Sequence, residues 1–185
     1  MNSDIVLGDG ALRIAYQKHG DRYAHRIMYV NASGDTTLLE SVESDADVPW
    51  PESPPLQDFE IEPRGSSQKV ALLVGMAGSS HWSASVEVER NRLYFDIACR
   101  ARHTPSQLGS TYQIFDAEIA AGEGGAVEIQ SPDGKTVELT PLEEFSTQVE
   151  VLENNRLWIG PEDTSGELPT TVRWQYSLRL PDSPN

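Results

Sequence analysis

Residues 81–102 read HWSASVEVERNRLYFDIACRAR, and this stretch decides the fold because it contains two amphipathic strands in succession. In residues 82–88, and again in 93–99, every second side chain is apolar, which is typical of a strand with one side in a core. A turn at Arg90-Asn91 makes the apolar positions face one another. The facing pairs are Val88 with Leu93, Val86 with Phe95, Ala84 with Ile97 and Trp82 with Cys99. A slip of one residue would break all four pairs, so the sequence predicts an antiparallel hairpin in this register.

Further short strands flank this hairpin, separated by turns rich in Gly, Asp, Asn and Pro. Alternation is clearest in residues 12–16 and 170–180. The other expected strands are at 26–30, 37–40, 58–62, 69–76, 111–118, 126–130, 136–140, 147–152 and 156–159. Helical patterns are nearly absent. The sequence therefore predicts an all-β protein, an antiparallel two-sheet β-sandwich of roughly ten to twelve strands in a single domain over residues 1–185.

Two segments depart from simple alternation. Lys69–Met76 is continuously apolar from Val70 to Val74, which predicts a strand covered on both faces. Residues 40–63 contain eight acidic residues, no basic residue and five of the twelve prolines. A long proline-rich excursion in a compact domain is usually a functional loop, a partner-binding segment or a linker. Trp50 and Phe59 indicate that part of it packs on the body, with an edge strand near residues 58–62.

The composition excludes several classes of function. A net charge of −15 argues against a nucleic-acid partner and against docking on anionic membranes. The start of the chain has no basic, apolar signal sequence, and no apolar run is long enough to span a bilayer, so we expect a cytoplasmic protein. Cys99 is the single cysteine and is expected to be an inert buried thiol. No cofactor motif occurs and the four histidines lack zinc-site spacing, so we expect neither cofactor nor metal.

The candidate site lies on the polar side of the hairpin. In the predicted register His81 is opposite Arg100, Ser85 is opposite Asp96 and Glu87 is opposite Tyr94. With Arg102 on the same side, His81 and Arg100 form a local concentration of positive charge in a chain of net charge −15. Small side chains leave space above the sheet at Ser83, Ser85 and Ala98. Arginine forks, carboxylates and an aromatic ring suit a polyhydroxylated or carboxylated ligand. The predicted ligand-binding residues are His81, Tyr94, Asp96, Arg100 and Arg102.

The strands HWSASVEVERNRLYFDIACR, LGSTYQI and TVRWQYSLRL resemble those of the galactose-mutarotase-like, carbohydrate-binding β-sandwich proteins. The likeness covers about a third of the chain and lies in the general residue pattern of these strands, not in a diagnostic motif. It implies a broad sheet that binds carbohydrate. In that group the enzymes use a histidine and a carboxylate for ring opening, but no pair in this sequence matches their pattern.

Several functions remain open from the sequence. The leading hypothesis is a non-catalytic module that binds a carbohydrate or a carboxylated small molecule on the hairpin's polar face. A second is a small isomerase or lyase in which His81 acts with Asp96 or Glu87 in proton transfer. A third is an interaction protein that either binds a partner through residues 40–63 or forms a homodimer through its strand edges. If residues 40–63 serve only to bind a partner, their deletion should leave folding intact. The simplest alternative is a polar face that only keeps the sheet solvated.

Overall fold

The computed structural model describes residues 4–65 and 68–181, and over these residues the chain is mostly β-strand. The strands are β1 (Ile5–Leu7), β2 (Leu12–His19), β3 (Arg22–Asn31), β4 (Gly34–Ser41), β5 (Asp58–Arg64), β6 (Gln68–Ala77), β7 (Ser80–Glu89), β8 (Arg92–Ala101), β9 (Ser110–Ile114), β10 (Glu118–Ala121), β11 (Val127–Gln130), β12 (Thr136–Pro141), β13 (Thr147–Leu152), β14 (Arg156–Pro161) and β15 (Thr170–Arg179). Short 3-10 turns occur at Glu123–Gly125 and Glu143–Phe145. Among the described residues, no helix has the length and apolar character needed to cross a membrane.

Two antiparallel sheets pack face to face, which confirms the predicted all-β sandwich. One sheet has seven strands in the order β1-β2-β3-β4-β9-β14-β13, and the other has eight in the order β10-β11-β12-β15-β8-β7-β6-β5. The described residues thus form fifteen strands rather than ten to twelve. Part of the excess comes from β1, which has only three residues and too little alternation to be recognised in the sequence.

The hairpin β7–β8 has the predicted register. Trp82 pairs with Cys99, Val86 with Phe95 and Val88 with Leu93, and all of these side chains are buried. Phe95 stacks on the Tyr176 ring of the adjacent strand β15, with 4.6 Å between the ring centroids. Each residue directed inward therefore has an apolar neighbour, as the alternation requires.

The turn of this hairpin also joins the two sheets. Asn91 has a φ of 60°, a conformation that asparagine tolerates better than most residues. Its side-chain oxygen accepts a hydrogen bond of 2.8 Å from the backbone N–H of Ala11, which lies 80 residues away beside the seven-stranded sheet. A side chain at Gly10 would collide with this oxygen, since a Cβ there would lie 2.4 Å from it. The turn thus anchors the start of β2.

The prediction that Lys69–Met76 is covered on both faces holds at Val70, which is buried on the outer side, but is wrong further along the strand. Ala71 and Leu73 point into the core, but Val74 is 50% exposed and Met76 is 46% exposed on the outer side. The sheet has solvent rather than a second layer over this part of its outer side. A continuous apolar run shows that a strand lacks polar residues, but it does not establish that both faces are buried.

The predicted single strand over residues 111–118 is also wrong. β9 ends at Ile114 in the seven-stranded sheet, and β10 starts at Glu118 in the eight-stranded sheet. Tyr112 and Ile114 point inward, so a continued strand would carry Asp116 into the core. An unpaired buried carboxylate is costly, and the chain crosses to the other sheet instead.

Residues 42–57, here called the strap, are packed on the body of the protein. Leu56 is 4% exposed, and its carbonyl accepts a 2.7 Å hydrogen bond from the Tyr23 N–H. The Trp50 ring packs edge to face against the Trp82 ring, with 5.9 Å between the ring centroids. This confirms the prediction that Trp50 packs on the body of the protein. The expectation that residues 40–63 can be removed without harm to folding therefore does not fit the structure. The edge strand predicted after it is confirmed as β5, which lies at the margin of its sheet.

The close packing of the strap where it crosses β6 at Gly75 can be tested by substitution. A Cβ at Gly75 would lie 1.7 Å from the carbonyl oxygen of Pro55. We expect Gly75→Ala to lower the free energy of unfolding by about 2–3 kcal/mol because the strap must shift. Urea denaturation followed by circular dichroism measures this change. The neighbouring variant Val74→Thr, at an exposed position, should change stability by less than about 0.5 kcal/mol. Equal stability of Gly75→Ala and the wild type would contradict the close packing of the strap.

Candidate functional site

The predicted site lies on the outer face of the eight-stranded sheet, where side chains from adjacent strands form rows. One row consists of Met76, His81, Arg100 and Thr171, on β6, β7, β8 and β15. The next row consists of Asp58, Val74, Ser83, Ala98 and Arg173. The third row consists of Glu60, Leu72, Ser85, Asp96 and Gln175. The face therefore combines apolar, cationic and anionic side chains within a few strands.

Two adjoining depressions, here together called the trough, lie on this face. Their volumes are about 430 Å³ and 490 Å³, and both are lined by Val74, Ser83, Ala98 and Thr171. Ser83 and Ala98 are short, so they leave space between the longer side chains of β6 on one side and β15 on the other. This agrees with the prediction that small residues leave room above the hairpin.

Gln57 closes one end of the trough. Its side-chain oxygen accepts a hydrogen bond of 3.1 Å from the Met76 N–H, and its side-chain nitrogen donates to the Met76 carbonyl at 3.3 Å. The amide thus continues the pairing of β5 with β6 beyond Asp58. Because the oxygen and the nitrogen of its side-chain amide are both hydrogen-bonded to the Met76 backbone, Gln57 has a fixed position at this end of the trough.

His81 and Arg100 stand side by side at this end of the trough. They are directly opposite each other on β7 and β8, and both are exposed. Among residues 4–65 and 68–181, neither side chain has a hydrogen bond or an ion pair with another residue. Arg100 therefore presents a free guanidinium group beside an apolar surface formed by Val74 and Met76.

Asp96 and Arg173 form an ion pair at the other end. The Arg173 Nε atom donates to Asp96 Oδ1 at 2.6 Å, and Nη2 donates to Oδ2. The Arg173 guanidinium also lies over the Phe145 ring, 4.4 Å from its centroid. The hydrogen bonds to Asp96 raise the pKa of Arg173 further above its ordinary value.

Arg173 is a site residue that the sequence reasoning missed. Its strand was recognised as amphipathic, and Arg173 is on the polar side of that strand. The missing information was the pairing of β15 with β8, which places Arg173 opposite Ala98. A polar residue on a well-formed amphipathic strand was the available signal, but the neighbouring strand cannot be read from local alternation.

Two of the predicted ligand-binding residues lie away from the trough. Tyr94 is six positions from Arg100 along β8, a separation of about 20 Å, and its direct neighbour is Glu87. Burial raises the pKa of Tyr94, with a smaller contribution from Asp96, so its phenol stays neutral. Arg102 follows the end of β8 and is exposed, and it lines neither depression.

The pairs proposed for acid–base chemistry are not brought together. His81 and Asp96 are one strand and four residues apart, so their Cα atoms are separated by about 14 Å. Glu87 is six residues from His81 on the same strand, a distance of about 20 Å. Asp58 lines the same depression as His81 but lies two strands away. The geometry therefore gives no support to an isomerase or lyase centred on His81.

Neither the grouping of possible metal ligands nor the comparisons with known proteins give a further assignment. Within the described part of the chain, no three His, Cys, Asp or Glu side chains are grouped so as to hold a metal ion. No protein-family model and no curated protein matches this sequence. The resemblance to galactose-mutarotase-like proteins stays a prediction, and a function must be inferred from the chemistry of the trough.

A second polar cluster lies inside the sandwich and is closed to solvent. The His25 Nε2 atom and the Tyr112 hydroxyl share a hydrogen bond of 2.8 Å, and the Tyr112 and Tyr176 hydroxyls share one of 2.6 Å. His25 and Tyr112 belong to the seven-stranded sheet and Tyr176 to the other, so this chain of hydrogen bonds connects the sheets. All three side chains are buried. We interpret the cluster as a structural link between the sheets.

His25 of this cluster and the neighbouring Glu43 have strongly shifted pKa values in opposite directions. Burial lowers the pKa of His25 to about 4. Burial raises the pKa of Glu43 to about 7, although a hydrogen bond of 2.7 Å from the Ser41 hydroxyl partly opposes this. The same Ser41 hydroxyl accepts a hydrogen bond from the His25 backbone N–H at 2.9 Å, so the two groups are neighbours in one network.

These pKa shifts predict opposite pH dependences of stability. His25 binds a proton more readily when unfolded, so its contribution is lost as pH falls from about 6.5 towards 4. Glu43 binds a proton more readily when folded, so its contribution is gained as pH falls from about 7 towards 4.5. Each effect amounts to at most about 3 kcal/mol, and in the wild type they largely cancel.

Urea denaturation at pH 7.0, 5.5 and 4.5 tests this cancellation. In Glu43→Gln the His25 effect is unopposed, so stability should fall with decreasing pH. In His25→Gln the Glu43 effect is unopposed, so stability should rise over the same range. If the Glu43→Gln protein and the wild type had the same pH dependence, Glu43 would not take up a proton near neutral pH.

Proposed function

We propose that this protein is a non-catalytic binding module whose trough holds a small saccharide that carries a carboxylate. The observation that carries the proposal is the unpaired Arg100 guanidinium beside an open, partly apolar depression. A concave, largely apolar surface with a few polar groups directed into it is typical of ligand-binding sites. Arg100 has no carboxylate partner among the described residues, whereas Arg173 in the same trough is paired with Asp96.

Apart from the Asp58 carboxylate at the margin, the groups that line the first depression match the parts of an acidic sugar. The planar fork of Arg100 can donate two parallel hydrogen bonds to a carboxylate. The Ser83 and Thr171 hydroxyls can donate to or accept from sugar hydroxyls, and both line the first depression. Val74 and Met76 offer apolar surface to the C–H face of the ring. A neutral sugar would leave the strongest donor in the trough without a partner.

The affinity for a single sugar should be modest. In a shallow, solvent-accessible site one bidentate charged pair contributes only about 1.5 kcal/mol, and the net negative charge of the chain repels anions at long range. We therefore expect a Kd on the order of 1 mM for a monosaccharide, equivalent to about −4 kcal/mol. A longer acidic saccharide that also fills the second depression should bind more tightly.

The proposal is tested by titrating the ¹⁵N-labelled protein with D-glucuronate and following backbone amide shifts by NMR. We expect shifts at Ser83, Ala98 and Thr171, and at least tenfold weaker binding of D-glucose because it lacks the carboxylate. Arg100→Ala should weaken D-glucuronate binding to a similar extent.

Arg102→Ala is the matched control, because it removes an equal charge from an exposed arginine close in the chain but outside the trough. Its affinity for D-glucuronate should equal that of the wild type. Equal losses in the Arg100 and Arg102 variants would mean that binding is a non-specific charge effect, and no shifts at all in the wild type would refute the proposal.

A further inference from the structure

We infer that Asp96 sets the charge selectivity of the trough: by holding Arg173, it leaves one free guanidinium and so favours ligands with a single carboxylate over phosphorylated or sulfated ones. This inference rests on the function proposed for the trough, and it assigns a specificity-determining role to a residue that need not touch the ligand. It rests on the arrangement of Arg100, Arg173 and Asp96 on two paired strands.

The two arginines are close enough to act on one anion. Arg100 lies opposite Thr171 and Arg173 lies opposite Ala98, so Arg100 and Arg173 are diagonal neighbours on β8 and β15. Diagonal neighbours in an antiparallel pair are about 7–8 Å apart, within reach of long side chains. Each arginine borders one of the two adjoining depressions. Two guanidinium groups at this spacing would form a strong site for a phosphate or sulfate group.

Asp96 prevents this double site from forming. Its carboxylate accepts two hydrogen bonds from Arg173 and is 18% exposed, so the pair is partly shielded from water. The bonds hold the Arg173 guanidinium towards Asp96 and over Phe145. Asp96 lies two residues beyond Ala98 along β8, on the side away from Arg100. Its negative charge also opposes a second negative charge in the trough.

Glu144 is a further acidic group that acts on Arg173. It contributes to the raised pKa of Arg173 after Asp96, and it lies in the 3-10 turn that contains Phe145. When the charge of Asp96 is removed, Glu144 is therefore a competing partner for Arg173. A variant that frees Arg173 completely must neutralise both carboxylates.

The test uses inorganic phosphate as the probe, with binding followed by NMR at the amides of Ala98 and Thr171. We expect Asp96→Asn together with Glu144→Gln to bind phosphate at least tenfold more tightly than either the wild type or Glu144→Gln alone, since a second charge-assisted pair is gained only when Asp96 releases Arg173. Adding Arg173→Gln should return the affinity to the wild-type level. Unchanged phosphate affinity in a folded double variant, with native-like amide shifts elsewhere, would overturn the inference.

The matched control is Glu60→Gln together with Glu62→Gln. It changes the net charge by the same amount, on the exposed edge strand of the same sheet. Its phosphate affinity should stay within about twofold of the wild type, because exposed charges at a distance are largely screened. A gain equal to that of the Asp96 and Glu144 variant would show a general charge effect and would contradict a selective role of Asp96.

The results separate this inference from the proposed function. D-glucuronate binding by the wild type without a phosphate gain in the double variant would support the function and refute the role of Asp96. A phosphate gain that requires Arg173, in a protein that does not bind D-glucuronate, would support the role of Asp96 and refute the acidic-sugar proposal.

Discussion

The pairing of β7 with β8 is the constraint on which the rest of the molecule depends. Burial of Trp82 and Phe95 on one side fixes which side chains of both strands point outward. Because side chains alternate along a strand, the same register that closes the core sets His81 beside Arg100 on the opposite face. The chemistry of the outer face is thus a direct consequence of how the apolar residues are spaced.

The trough arises from a difference in side-chain size between neighbouring strands. The middle strands contribute Ser83 and Ala98, while the strands beside them contribute Val74 and Thr171. Strands provide most of the depression, so its shape is held largely by the hydrogen bonds of the sheet itself. The strap completes one end through Gln57. A site built on strands in this way is more rigid than one built on loops.

Local alternation was enough to predict the fold class, the β7–β8 register and the burial of Cys99. The structure places this thiol in the core, and burial raises its pKa to about 12. The same reasoning could not find Arg173, because its neighbour on β8 is distant in sequence. It also misjudged Val74, since an apolar residue in a strand does not reveal whether another layer covers it. Local patterns specify which side chains share a face, whereas the order of strands depends on contacts between distant parts of the chain.

The contact between the Asn91 turn and Ala11 has a consequence for how the chain assembles. It joins residues 80 positions apart, and the pairings of β4 with β9 and of β8 with β15 also join distant segments. Chains dominated by such contacts fold slowly, on the order of milliseconds to seconds, because the entropy of closing long loops must be lost first. An edge of β8 that is not yet paired with β15 can pair with another chain. The net charge of −15 opposes such association through mutual repulsion.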